Sequence, residues 1–343
     1  MHAEALIVAE GPEFAVRPIT LPDPGDEDVV VRTLWSGVSI GTEFALIRKK
    51  LTWGPFPLCT GYQGVGVVES VGADVRGFRP GDRVYYRDNR PSTLVDGTPV
   101  SAVSGVHASR AVIHPGRTHG LAALPDGCPV DAASLFVMPA VGLHGVDLAQ
   151  VRLGWKVIVH GVGLIGLGVV AFCALRGCQT LAIDLNDRRP DVALKFGADV
   201  AINARAPDAR ERIHAFATEG ADAVFETTGI PDLILPCIEL CRPLGVFVWQ
   251  GNYGGAPFPF HFLPPHMRRL TMVFPCDDGL EPSRQAVVKA MTSGALPWQQ
   301  TITHRVEYRD APGLYGRILA NDPDVLGAAI RWSSDGAVDE QPL

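Results

Sequence analysis

VIVHGVGLIGLG, Val157 to Gly168, is the stretch that decides the fold. An apolar, strand-like run passes into Gly161, Gly163 and Gly166, spaced G-x-G-x-x-G, and then into residues of helical periodicity. Strand, glycine turn and helix in that order form the context a dinucleotide-binding motif requires. Gly161 permits the tight turn, Gly163 lets a pyrophosphate approach the backbone, and Gly166 lets helix and strand pack closely. Leu164 and Ile165 begin the helix, whose free N–H groups then face the phosphates. A glycine-rich turn without a ligand is the plain alternative, so a second witness matters. Asp184 supplies it, 18 residues after Gly166 at the end of the next apolar run. A carboxylate there accepts hydrogen bonds from both adenosine ribose hydroxyls and repels a 2′-phosphate, so NAD is expected over NADP. Asn186 and Arg188 belong to the same candidate cofactor set, although Arg188 and Arg189 could instead serve NADP.

Outward from this motif, strands and helices alternate. Strands are expected at Lys156–His160, Thr180–Ile183, Asp199–Ile202, Ala221–Glu226, Val246–Trp249 and Leu270–Phe274. Helices are expected at Leu164–Arg176, Arg189–Phe196 and Leu233–Cys241, with Gly177 and Gly197 as stops. Apolar strands alternating with helices predict an α/β unit, a doubly wound parallel sheet covered on both faces. Thr227, Thr228 and Gly229 end one strand, and Gln250, Gly251 and Asn252 end another. Open parallel sheets bind ligands at their carboxyl edges, so these six residues join the candidate cofactor contacts.

Upstream of Pro129 the texture differs. Short β-rich runs such as Ala5–Val8, Asp28–Leu34, Gly64–Val71 and Arg83–Tyr86 are bounded by Gly, Pro or Asp and suit a small β-barrel. Val130–Leu148 is Ala- and Leu-rich and reads as one or two helices. After Gly279 come a helix (Pro282–Ser293), a strand (Gln300–Arg305), a helix (Ala311–Leu319) and a strand (Leu326–Trp332). This tail is too short for a domain and is expected to pack on the N-terminal part. The boundaries expected are 1–140 with 277–343 for the β-rich domain and 141–276 for the nucleotide-binding domain.

Composition bounds the rest. At 343 residues the chain exceeds one ordinary core, which favours two domains. With 37 acidic against 30 basic side chains the formal net charge is −7, which argues against a nucleic-acid or anionic-membrane surface. No basic, apolar leader opens the chain and no apolar run approaches the ~18 residues of a membrane span, so a cytoplasmic location is expected. The seven cysteines include no CxxC pair, which fits reduced, mostly buried thiols.

These residues together resemble the medium-chain dehydrogenase/reductase superfamily over nearly the whole chain. The carriers are SGVSIGTE (Ser36–Glu43), GYQGVGVVESVG (Gly61–Gly72), RPGDRV (Arg79–Val84), HGVGLIGLG, and ALKFGAD (Ala193–Asp199). The resemblance implies a GroES-like β-rich catalytic domain interrupted by a Rossmann domain, with the active site in the cleft between them. It also implies a homodimer or homotetramer, with Leu270–Phe274 as a possible edge for pairing.

The departures from that pattern are informative. Zinc alcohol dehydrogenases of this family place a Cys before a Gly-Ser/Thr-Asp segment and a His-Glu pair after a Gly. Here Ser39 stands at or beside the Cys position, Gly61-Tyr62-Gln63 replaces Gly-His-Glu, and the third ligand would fall near Met138. Ser, Tyr and Met are not a zinc set. The stretch Tyr86–Val103, which matches the structural-zinc lobe, has no cysteine. No metal is therefore expected, and the ten histidines read as isolated. The SxGTE form with GYQ resembles a zinc-lacking branch that includes the bacteriochlorophyllide 3-hydroxyethyl dehydrogenases.

Without a Lewis acid, a carbonyl oxygen needs hydrogen-bond donors. Tyr62 could polarise that oxygen or act as general acid/base, or its ring could only fill the vacated site. Thr42 matches the hydroxyl that relays a proton in the zinc relatives, and could also cap a helix over Phe44–Lys50. Glu43 matches an acidic supporting position, where a structural ion pair is the plainer role. Ser39 and Gln63 complete a polar pocket, and His144 sits in a segment that lines the cofactor cleft in relatives. The loop Tyr85–Arg90 either contacts a polar substrate or is only surface. The leading expectation is an NAD-dependent interconversion of a secondary alcohol, with sugar- or polyol-like substrates among the options, and a ketone, acting on a small molecule. A zinc-free enoyl or quinone reductase, a lyase or epimerase with retained NAD, and a non-catalytic nucleotide-binding protein remain alternatives.

Overall fold

In the computed structural model, strand Lys156–His160 runs through the Gly161 turn into helix Leu164–Leu175, as the motif demands. The structure describes residues 1–117, 120–279 and 281–334. The end of the expected β-rich domain, 335–343, lies outside the described residues. The chain divides into two units: Met1–Phe136 with the chain from Val288, and Val137–Val287. The joins expected at 140/141 and 276/277 thus fall at 136/137 and 287/288. Two close approaches account for the shift. Helix Val137–Leu148 packs on helix Leu164–Leu175 so tightly that a Cβ on Gly168 would sit 2.8 Å from Pro139. A Cβ on Gly279 would lie 2.5 Å from His144 Nδ1, which ties that loop to the same unit.

The Val137–Val287 unit holds a parallel sheet among the described residues. Its order is Val200–Asn203, Gln179–Asp184, Lys156–His160, Ala221–Glu226, Cys241–Trp249 and Thr271–Val273. Every pairing is parallel. Ile158, Leu181, Val224 and Phe247 are fully buried in its core, as a sheet covered on both faces requires. Strand order reverses beside Lys156–His160, and the carboxyl end of a strand at such a reversal is the place where open parallel sheets generally bind ligands. Gly161 takes φ +96°, a conformation glycine adopts without penalty.

Some elements depart from expectation. Helix Ala209–Phe216 lies outside the expected elements: it fully buries only Ala209, and its short apolar face, Ala209, Ile213 and Phe216, is interrupted by four charged or imidazole side chains. Helix Leu263–Arg268 contains Pro264 and Pro265, which mask it in sequence. The expected helix Leu233–Cys241 resolves into a 3₁₀ turn, Pro231–Leu233, and helix Ile234–Glu239. Cys241 instead begins a strand whose register shifts near Ala221, with Leu244 at φ +61°.

The first unit is β-rich. Among the described residues, His2–Ala9, Glu13–Thr20, Ser92–Leu94, Pro99–Ala102 and Leu58–Cys59 close a barrel. A second sheet runs Leu121–Ala123, Arg83–Tyr86, Gly64–Val71, Val29–Gly37, Gly327–Arg331, Ile302–Glu307, with Arg110–Ile113 also on Val29–Gly37. The tail returns here because Gly327–Arg331 pairs antiparallel with Val29–Gly37, Ile330 opposite Ser36. Six cysteines are buried and Cys276 is exposed. Among the described residues no helix is long and apolar enough to cross a membrane.

Candidate active site

Strand pairing in the first unit creates its polar site. Val29–Gly37 runs antiparallel to Gly64–Val71, with Ser36 opposite Gly64. The residues leaving one strand, Val38 and Ser39, therefore meet those entering the other, Tyr62 and Gln63. The Gly37 N–H donates to Gln63 O at 3.1 Å and fixes this meeting. Gly61, at φ +96°, turns the chain into Tyr62. A Cβ on Gly61 would stand 2.8 Å from the His107 ring, so His107 packs directly against the turn.

Ser39 Oγ and Tyr62 Oη are 2.6 Å apart, and Tyr62 Oη reaches Thr42 Oγ1 at 3.5 Å. The helix that carries Thr42 is Ile40–Ile47, with Ser39 as its N-cap residue. Thr42 lies inside the first turn, so the expected cap for Phe44–Lys50 is corrected: the helix starts four residues earlier than Phe44. Glu43 reaches back to accept the Ser39 N–H at 2.7 Å. That is the return half of a capping box, in which a side chain from the helix satisfies the N-cap N–H. The Ser39 hydroxyl makes no cap bond and meets Tyr62 instead.

Glu43 is wholly buried yet richly bonded. Its Oε2 accepts from Tyr315 Oη at 2.5 Å and lies 3.1 Å from His107 Nε2. Burial alone would raise this carboxyl, but His107, Tyr315 and the Ser39 N–H outweigh it and hold Glu43 below its ordinary value. Glu43 is thus a carboxylate in the core whose hydrogen-bonding partners are His107, Tyr315 and the Ser39 N–H. The reading of the histidines as isolated fails at His107, which is fully buried and bonded at both ring nitrogens. His107, Tyr315, Ser36 and Trp332 were missed because they reach Glu43 and Ser39 only through pairings across the sheet. No local spacing announces them.

Burial raises the Tyr62 phenol, with the Glu43 charge adding to the rise and Ser39, Thr42 and Arg87 opposing it. The Arg87 guanidinium lies 5.4 Å from the centre of the Tyr62 ring, within cation–π range. The rest of the Tyr85–Arg90 segment is not a surface loop. Tyr85, Tyr86 and Asn89 are buried, Tyr86 Oη meets Thr33 Oγ1 at 2.7 Å, and Asn89 Nδ2 donates to Gly105 O at 3.0 Å.

The donor set does not fit a zinc ion. The hydroxyls of Ser39, Tyr62 and Thr42 face one another, while the neighbouring carboxylate and imidazole are engaged with each other. Among the described residues there is no group of three or more His, Cys, Asp or Glu arranged to hold a metal. Met138 is buried in helix Val137–Leu148 of the other unit.

In that other unit the sheet's carboxyl edge gathers the cofactor candidates. Asp184 Oδ2 accepts the Val162 N–H at 2.6 Å, and its Oδ1 accepts the Asn186 N–H at 2.9 Å. Asn186 Oδ1 in turn takes the Arg188 N–H at 2.9 Å. Arg189 donates to Val162 O at 3.2 Å, so Asp184 and Arg189 hold the two consecutive peptides that flank Val162 in the glycine loop. Burial lowers the Arg189 guanidinium while Asp184 opposes the change. A Cβ on Gly166 would collide with Gly161 O, which is the close packing expected there. At Gly163 a Cβ would meet no protein atom, so the space above it is open to a ligand. Leu164 and Ile165 carry the first helical turn, and Leu164 is buried.

The two remaining strand ends pack on each other. Thr227 Oγ1 donates to Gly161 O at 2.7 Å. Glu226 anchors the next loop, accepting the Thr228 N–H at 2.8 Å and the Gly229 N–H at 3.1 Å, with the Thr228 and Tyr253 hydroxyls also on its carboxylate. Its backbone oxygen takes the Gln250 and Gly251 N–H groups at 2.9 and 2.8 Å. The Gln250 side chain turns inward, donating to Val141 O at 3.1 Å. Asn252 Oδ1 holds the Gly254 N–H at 2.9 Å. His144 lies in this unit, while Ser39, Thr42, Glu43 and Tyr62 lie in the other.

Comparison with known proteins agrees with this geometry. The alcohol dehydrogenase GroES-like domain family matches residues 25–125, and the zinc-binding dehydrogenase family matches 165–283. A zinc-type alcohol dehydrogenase-like protein YdjJ of Escherichia coli is 27% identical over 337 residues, covering 91% of this chain and 94% of its own. The 2-desacetyl-2-hydroxyethyl bacteriochlorophyllide A dehydrogenase of Cereibacter sphaeroides is 25% identical over 338 residues, covering 97% and 99%. The solved structure of ECK1772, an oxidoreductase/dehydrogenase of unknown specificity from Escherichia coli, superposes with a TM-score of 0.82 at 24% identity, covering 96% and 99%. With a GroES-like unit, a dinucleotide-binding sheet and relatives over its full length, this chain is an oxidoreductase of the medium-chain dehydrogenase/reductase superfamily.

Proposed function

We propose that the protein interconverts a secondary alcohol and a ketone with NAD(H), and that side-chain hydroxyls take the place of zinc at the substrate oxygen. The observation that carries this reading is the Ser39 Oγ–Tyr62 Oη pair, 2.6 Å apart, beside a carboxylate that holds the Ser39 backbone. Gly161, Gly163, Gly166 and the Asp184 loop would hold the dinucleotide, with Thr227 to Gly229 and Gly251 to Asn252 beside it. When bound, that group supplies or accepts the hydride. The protein's task is the proton. Tyr62, raised by burial and by Glu43, stays a phenol at neutral pH and donates a hydrogen bond to a carbonyl oxygen. Ser39 is the neighbouring hydroxyl through which that proton is replaced, with Thr42 next in line. A secondary alcohol suits the hydroxyethyl group in the name of the Cereibacter relative.

Asp184 supports NAD rather than NADP, because a carboxylate at the end of the second strand of such a fold accepts from the ribose hydroxyls and would repel a 2′-phosphate. The test is binding of NADH and NADPH by fluorescence, followed by assays of 2-butanol, 2,3-butanediol and xylitol with NAD and of the matching ketones with NADH. The expected result is tighter NADH and turnover of at least one pair. Asp184→Ala should weaken NADH about ten-fold or more and NADPH by less, since the glycine loop loses a support both cofactors would use while only NADH loses a charged hydrogen bond at the ribose. An unchanged ratio would remove Asp184 from the ribose site.

The second unit also supports self-association. Among the described residues strand Thr271–Val273 pairs on one side only, and Phe262, Met267 and Phe274 nearby are about two-thirds exposed. A homodimer pairing through this edge is the expected state in solution, and a monomer by light scattering would refute it.

A further inference from the structure

With a neutral His107 ring, the chain of hydrogen bonds beneath Ser39 has one proton assignment that pairs every donor with an acceptor. Indole nitrogen only donates, so Trp332 Nε1–H gives its proton to Ser36 Oγ at 2.7 Å. The Ser36 hydroxyl has one proton of its own, and His107 Nδ1, 2.7 Å away, is the acceptor beside it. Nδ1 is then unprotonated, and the ring carries its hydrogen on Nε2, aimed at Glu43 Oε2 at 3.1 Å. Glu43 receives Tyr315 Oη from the opposite side and the Ser39 N–H from above. Every member except Ser39 is remote from the substrate oxygen, and Ser36, Glu43 and His107 are fully buried. An array of this kind costs much to bury and rigidifies what it touches. What it touches last is the Ser39 backbone, whose hydroxyl meets Tyr62.

We propose that His107 is a positioning residue: as the Nε2–H tautomer set by Trp332 and Ser36, it holds the Glu43 carboxylate against the Ser39 N–H and so keeps the Ser39–Tyr62 pair in place. This rests on the reading that Tyr62 and Ser39 serve the substrate oxygen. The two aromatic donors come from the tail, Tyr315 in helix Ala311–Leu319 and Trp332 just after strand Gly327–Arg331. The tail is thus part of the site's foundation as well as its sheet.

Two substitutions separate positioning from bulk packing. The amide of His107→Gln reaches where Nε2–H donates, whereas that of His107→Asn reaches only the Ser36 side. With the ketone and NADH pair the wild type turns over best, His107→Asn should lose about ten- to a hundred-fold in kcat with little change in KM for NADH, as loss of a supporting partner commonly costs. His107→Gln should recover most of that loss. Nitrogen-15 imidazole spectra of the full-length protein should show His107 as the Nε2–H tautomer, and Ser36→Ala should abolish that preference. Equal kcat losses in the Asn and Gln variants would overturn the proposal, as would an Nδ1–H tautomer in the wild type. If the wild type turns over no ketone, the proposed function fails by itself. A crystal structure of His107→Asn then decides this inference: a displaced Ser39 supports it, and an unmoved Ser39–Tyr62 contact overturns it.

Discussion

Tyr62 Oη rests 2.6 Å from Ser39 Oγ, although 23 residues separate the two in the chain. The contact follows from strand register. Val29–Gly37 and Gly64–Val71 run antiparallel, so the exit of one and the entry of the other share one end of the sheet. The family resemblance sets the zinc relatives' Cys at or beside Ser39 and their His at Tyr62.

Tyr62→Phe removes the phenolic donor and keeps the ring. Ketone reduction should fall by about 10²- to 10⁴-fold, the range general-acid groups contribute. NADH affinity should not move, since the dinucleotide motif lies in the other unit. Steady-state kinetics with a binding titration would check both, and an unaffected kcat would reduce Tyr62 to a filler of space.

The pH dependence of reduction follows from the raised phenol. The acid must be protonated, so the reductive rate should be full below the Tyr62 value and fall only as pH rises through it, above about 10. Loss of reductase activity between pH 7 and 9 that Tyr62→Phe abolishes would contradict this.

Glu43 links the site to stability. Its folded value lies below the unfolded value of about 4.3, so its contribution is fully present above that pH and fades as pH falls through the lower folded value. Glu43→Ala strands the His107, Tyr315 and Ser39 donors and should cost about 3–5 kcal/mol. Denaturant melts at pH 7 and pH 4 would measure it, and the variant's penalty should shrink at the lower pH.

Gly163→Ala tests the nucleotide site without disturbing the fold. The backbone there is ordinary at φ −76°, and an added Cβ meets no protein atom. The variant should melt like the wild type and bind NADH at least ten-fold more weakly, a loss of about 1.4 kcal/mol. Equal affinity would mean that the pyrophosphate passes elsewhere.

Much of the second unit was legible because its signals are local. Strands Lys156–His160 and Ala221–Glu226 lie where the apolar runs place them, and Gly161, Gly163 and Gly166 have the surroundings the motif requires. Helix Ala209–Phe216 escaped because its apolar stripe, Ala209, Ile213 and Phe216, is only two turns long and half-buried. In the first unit, Tyr62, Thr42, Ser39 and Glu43 stood out against a family pattern. His107, Tyr315 and Trp332 did not, since they meet those residues across 64, 272 and, through Ser36, 296 positions of chain. Long-range register decides such contacts, and a single sequence does not display it.

The most direct test of the hydroxyl-pair account is turnover after exhaustive chelation, with bound metal measured on the same sample. The account predicts full alcohol–ketone activity at negligible zinc content, and no gain when zinc is returned. Activity that disappears with the metal and comes back with stoichiometric zinc would contradict it.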